Sequence, residues 1–122
     1  MDDNIVNESL YSLDKYLDRL IPGIEEIIKC FSEDKEGEAL KLLIEAIEGI
    51  NWCIKVVILT KPTLETYDIE VDEKKIKDLL LEFENALKNE DYVYVNDLLE
   101  YEMLDLFTYW KKGISNVSFT VN

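Results

Sequence analysis

Near the start of the chain, Leu10, Leu13, Leu17, Leu20, Ile24, Ile27, Ile28 and Phe31 recur at steps of three and four. Only a helix keeps residues so spaced on one side, so this segment must fold as an amphipathic helix and bury that side. Pro22-Gly23 falls inside the pattern without shifting its phase. Proline lacks a donor and crowds the carbonyl four residues earlier, so a kink or short break is expected near Leu20.

The same spacing returns three times. A second helix is expected from about Glu38 to Thr60, with Leu40, Leu43, Ile47, Ile50, Ile54 and Ile58 on its main face. Leu42, Ala46, Gly49, Cys53 and Val56 make it apolar on a second side, which predicts the central helix. Its small residues Ala46, Gly49 and Cys53 would let a neighbour come close. A third helix begins after the N-cap Asp72, with Val71 and Ile76 placed as a hydrophobic staple, and runs to about Lys88. The link Asn89 to Asp91 is short enough to force antiparallel neighbours, and Asp91 caps the fourth helix. Pro62 is expected to end the second helix. Weak alternation permits short strands at 66–71 and 117–121, the latter in a tail, 114–122, that is otherwise loose. The expected fold is an all-α antiparallel four-helix bundle in a single domain, 1–122.

In the fourth helix, Tyr92, Val95, Leu99, Met103, Leu106 and Trp110 fall within about 80° of one another and form the core stripe. The stretch Asp97 to Trp110 (DLLEYEMLDLFTYW) carries four acids, and Asp97, Glu100 and Asp105 lie well away from that stripe, toward solvent. Glu102 lies about 60° from the stripe centre. It reads as a half-buried acid paired with a lysine, or as a functional carboxylate. Tyr94, Tyr101 and Leu104, with Val93 nearby, also lie off the core stripe. They either cover a neighbouring element or form an aromatic-aliphatic patch for a partner helix or peptide.

Charge narrows the partners. The chain has 27 acidic and 13 basic residues, a net charge of −14. That repels nucleic-acid phosphates and anionic lipid heads, so neither nucleic acid nor membrane is an expected partner. A basic protein or a divalent cation is compatible, as is an acidic surface that only keeps the protein soluble. Cys30 and Cys53 lack CxxC spacing and sit in apolar helical patterns, so both should be buried and reduced. The acidic start has no signal-peptide pattern, and Ile54 to Leu59 is too short to span a bilayer. A soluble cytoplasmic protein is the expectation.

Most familiar chemistry is absent. With no histidine, the chain cannot build Ser-His-Asp or Cys-His catalysis, His-containing zinc sites, or the Glu-x-x-His pairs of di-iron bundles. It has no P-loop and no GxGxxG. The turn Ser32 to Gly37 imitates half a calcium loop, but position one is serine and position twelve is Leu43. One enzymatic pattern remains, that of magnesium-dependent all-α nucleotide pyrophosphohydrolases, which hold the metal with acids at i, i+3 on helices. Glu45 with Glu48, and Glu102 with Asp105, have that form. Glu45 and Glu48 point away from their helix's apolar face, and no basic phosphate-holding cluster accompanies them.

At Ile47-Glu-Gly-Ile-Asn-Trp52 and Leu98-Leu-Glu-Tyr-Glu-Met-Leu104, the chain resembles a group of small acidic helical-bundle proteins of low-GC bacteria. Its layout is similar to that of the flagellin-export chaperones, four-helix bundles that clamp the helical end of an unassembled subunit. The resemblance covers helix order and the LLEYEML region, and the leucine-rich, proline-containing first-helix segment of those chaperones is not matched. It implies a chaperone- or adaptor-like role and supplies no catalytic residue.

The reading that follows is a non-enzymatic protein-binding module that captures an amphipathic segment, with an acidic rim steering a basic partner. Tyr94, Tyr101 and Leu104 are the expected contacts, Glu100 the rim, and no cofactor is required. Two alternatives remain: a magnesium-dependent hydrolase using Glu45, Glu48, Glu102 and Asp105, and an immunity protein or antitoxin covering a basic toxin. A self-paired patch would make a homodimer.

Overall fold

In a computed structural model that describes residues 3–117, the chain is an all-α bundle. Helices α1 (Asp3–Ser32), α2 (Glu36–Leu59) and α4 (Glu73–Lys88) are joined by a short α3 (Lys61–Thr66) and by tight turns. The last long helix is continuous but composite. It begins as α5 (Tyr92–Leu98), passes through a π turn (Leu99–Met103) and continues as α6 (Leu104–Ser115).

The helix starts follow from local chemistry. Asp72 accepts a hydrogen bond from the Lys75 N–H at 3.1 Å, and Asp91 accepts one from the Tyr94 N–H at 3.2 Å. Each aspartate satisfies an orphan donor of the first turn. Val71 and Ile76 are both buried on either side of Asp72, as a hydrophobic staple requires. The ends share another device. Asp34, Asp68 and Glu90 take the left-handed conformation, with φ of 60°, 62° and 55°. Behind them Lys35 N–H bonds Cys30 O, Ile69 N–H bonds Leu64 O and Asp91 N–H bonds Ala86 O, at 2.8, 3.1 and 2.9 Å. These are three Schellman endings, each built without the usual glycine.

Sequence expectation and structure part at three places. Of the kink or short break expected near Leu20, the break does not occur: α1 runs unbroken through Pro22. Pro22 and Asp18, four residues earlier, are both exposed, so the proline sits on the solvent side of the helix. The buried stripe from Leu13 to Ile27 holds the helix together across it. Pro62 follows two residues after the Thr60 cap of α2, which ends at Leu59, where the proline was expected to end it. It lies in the first turn of α3, where its missing donor costs nothing. Second, 66–71 forms no strand: α3 ends at Thr66 and a turn follows, and the described residues contain no strand. Of the 117–121 segment, all but Val117 lies outside the described residues.

The third difference concerns which helix is central. α1, rather than α2, packs against both α2 and the composite last helix. Phe31 stacks on Tyr92 at 6.4 Å near one end, and Asp14 meets Ser115 near the other, so α1 and the last helix run antiparallel. On the other side, Tyr16 lies edge-on to Trp52 at 5.7 Å. The Tyr16 hydroxyl occupies the space where a Cβ on Gly49 would sit, so the mid-helix glycine gives α1 its close approach.

Candidate functional site

The π turn decides what the last helix shows to its surroundings. Leu104 N–H bonds the carbonyl of Leu99, five residues back, which inserts one extra residue into the helix. Upstream, Val95, Leu98 and Leu99 are buried; downstream the buried set is Met103, Phe107, Trp110 and Ile114. Phe107 therefore takes the inward place that uniform counting assigns to Leu106. Leu106 is rotated to the edge of the core, half-buried.

There it faces a cleft. α4 and the last helix are tied at their link end, where the Tyr94 hydroxyl donates to Glu82 Oε2 at 2.7 Å. That bond holds the Tyr94 hydroxyl above its ordinary pKa. Farther along, an open trough of about 720 Å³ lies between Lys74–Glu82 on α4 and Tyr101–Trp110 on the last helix. The half-buried Leu79 and Leu106 give it apolar surface over a floor of buried Ile76 and Trp110, and the exposed Tyr101 and Tyr109 border it. The other end is closed by the 67–72 connection, which is docked twice. Ile69 packs where a Cβ on Gly113 would be, and Glu70 N–H donates to the Tyr109 hydroxyl at 2.8 Å.

Carboxylates edge both walls: Glu70, Asp72, Asp78 and Glu82 on one, Glu102 and Asp105 on the other. Lys74 and Lys75 are the two cations of the lining, and Lys74 is already paired with Asp78 at 3.1 Å. The trough is thus apolar along its lining and strongly negative at its rims. The indole N–H of Trp110 is buried without an acceptor, as is the side-chain oxygen of Asn96 without a donor.

Of the residues singled out from sequence, Tyr101, Glu102 and Asp105 line this cleft. Tyr101 is 64% exposed, and Glu102 is also exposed rather than half-buried against a lysine. Tyr94 marks the cleft's closed end through its bond to Glu82, so it covers a neighbouring helix while remaining 41% exposed. Leu104 is half-buried against the core, and Glu100 is half-buried. The whole α4 wall and Tyr109 escaped the sequence reading. The available signal was the run of acids Asp72, Asp78 and Glu82 interleaved with the apolar stripe of α4.

Glu45 and Glu48 are exposed on α2 and line no part of this cleft. Among the described residues, no three cysteine, aspartate or glutamate side chains are grouped to hold a metal ion. Both cysteines are buried and neither forms a disulfide. Burial pushes the Cys53 thiol up to about 12, and the Cys30 thiol is raised for the same first reason. Neither is poised as a thiolate nucleophile. No helix among the described residues is long and apolar enough to cross a membrane.

A family profile described as DUF8042, a domain of unknown function, matches residues 8–113, and the chain belongs to that family. No curated protein and no solved structure matches it.

Proposed function

We propose that this DUF8042 chain acts by binding another protein, as a chaperone- or adaptor-like module that captures an amphipathic segment in the cleft between α4 and the last helix. One observation carries the reading: the cleft has an apolar lining, acidic rims and ends tied by side-chain bonds, so it exists before a partner arrives. A preformed apolar trough is the surface on which segment capture gains most, because little ordering cost is added on binding. The acidic rims serve association rate and partner choice more than affinity.

The test compares wild type with Tyr101→Lys as bait in native lysate, both shown folded by circular dichroism. Tyr101 is exposed, so the substitution changes the cleft edge without opening the core. A protein held by wild type and lost by the variant supports capture at the cleft. Identical catches overturn it, and so does magnesium-dependent nucleotide hydrolysis by the purified chain.

A further inference from the structure

We infer that the segment taken up by the cleft is a basic amphipathic helix, with an apolar stripe flanked on both sides by lysine or arginine. This rests on the capture reading above and names its partner by chemistry. Three features of the cleft support it.

The first is backbone accounting. Apart from the 67–72 connection and the first turn of α4 at one end, both walls are helical with their backbone groups bonded internally, and the described residues offer no sheet edge. An extended peptide lying here would find no backbone partners for its own N–H and C=O groups. A helix arrives with those groups already paired.

The second is length and shape. The α4 wall runs from Asp72 to Glu82, about 15 Å at 1.5 Å per residue, or close to three helical turns. The walls are joined at the Tyr94–Glu82 end and separated along the trough, with the half-buried Leu79 and Leu106 facing the gap over the buried Ile76. Two diverging helices with apolar inner faces present the groove into which a third helix packs.

The third is charge complementarity. The cleft's carboxylates stand on both rims, with the apolar residues between them. The matching ligand face has its apolar residues in the middle and a cation on each flank. An acidic or neutral amphipathic helix would fit the shape and leave the rims unpaired, with like charges opposed.

The probe is a 14-residue leucine/lysine peptide with lysines on both flanks of a leucine stripe. It is compared by calorimetry with a counterpart carrying glutamate for lysine and with a scramble of equal charge that lacks the stripe. The inference expects the lysine helix to bind, to bind at least tenfold more weakly to Glu102→Lys/Asp105→Lys, and to bind unchanged to Glu45→Lys/Glu48→Lys. The second variant carries the same charge reversal on α2, away from the cleft. Equal binding of the glutamate helix would overturn the charge assignment and leave capture standing. Equal binding of the scramble, or equal loss in both variants, would reduce the effect to general attraction to an acidic protein and overturn the helix. If no peptide binds while wild type still retains a lysate protein through Tyr101, the inference fails and the capture reading survives.

Discussion

Lys111 Nζ lies 2.7 Å from Asp14 Oδ1, joining residues 97 apart in sequence and fastening α6 to α1. The same ammonium reaches Asp18 at 2.9 Å and the Asp14 carbonyl at 3.1 Å, and Ser115 donates to Asp14 at 2.8 Å. The Lys111 and Asp14 side chains keep less than a quarter of their exposure, unlike the solvent-washed Lys74–Asp78 pair. Partly desolvated charges with several hydrogen bonds depend on one another more than surface pairs do.

Lys111→Met retains the aliphatic stem and removes the charge, leaving Asp14 with Ser115 as its remaining side-chain donor. Unfolding free energy should fall by about 2 kcal/mol, read from urea denaturation at pH 7. A loss under about 0.5 kcal/mol would class the clamp with ordinary surface ion pairs.

The clamp also sets a pH signature. Burial alone would raise the Asp14 carboxyl, but the hydrogen bonds from Lys111 and Ser115 outweigh it and hold the group below its ordinary 3.8. A depressed folded value means the stabilisation is complete above the unfolded pKa and lost as pH falls through the folded one. For Lys111 burial would lower the pKa, and the bonds to Asp14 and Asp18 carry it above its ordinary 10.5. Its contribution is complete below the unfolded value and lost as pH rises through the folded one. The stability gap between wild type and Lys111→Met should therefore be flat near neutrality, narrowing below 3.8 and above 10.5. A gap that is unchanged at both extremes would show that packing of the stem, not charge, sets it.

Gly49→Ala should destabilise the protein, although alanine is the better helix former by about 1 kcal/mol. The new methyl would collide with the hydroxyl and ring of Tyr16. Overpacking of this kind costs about 1–3 kcal/mol. In a Tyr16→Ala background the collision is gone and the same substitution should become stabilising. Thermal melts of the four-member cycle would show the change of sign, and additive effects would argue against contact between the two residues.

At the Schellman turns, Asp34→Gly, Asp68→Gly and Glu90→Gly should each stabilise by about 0.5–1 kcal/mol. Each replaces a side chain held at positive φ, a conformation costing about 1–2 kcal/mol without glycine, against the extra entropy glycine brings to the unfolded chain. A calorimetric melting temperature that stays level in the triple variant would count against strain at these turns.

How far the sequence reveals this molecule varies by element. The N-caps Asp72 and Asp91, the staple around Asp72 and the start of α2 within two residues were readable, because caps and apolar spacing are local chemistry. Continuity through Pro22 was not. It depends on packing of α1 against two neighbours, which a local proline rule does not contain. The π turn was hidden for a related reason. Leu106 and Phe107 are adjacent and both apolar, so the choice of Phe107 for the core comes from the assembled bundle. The cleft was half visible. Tyr101, Glu102 and Asp105 came from the last helix alone, whereas its α4 wall required knowing which helices diverge.

The extra residue in the π turn makes the last helix tolerant of a change in its length. Removing one residue from Glu100–Glu102 would let the i→i+4 ladder close there, with Val95, Leu98 and Leu99 still leading into the same downstream stripe after a small rotation. The side chain lost would come from the cleft-facing bulge and not from the buried seam. A chain one residue shorter at this point can thus keep the same core and differ in what it presents on the cleft side. An alignment that spreads such a gap elsewhere along the helix would pair core residues with surface ones from there to Ser115.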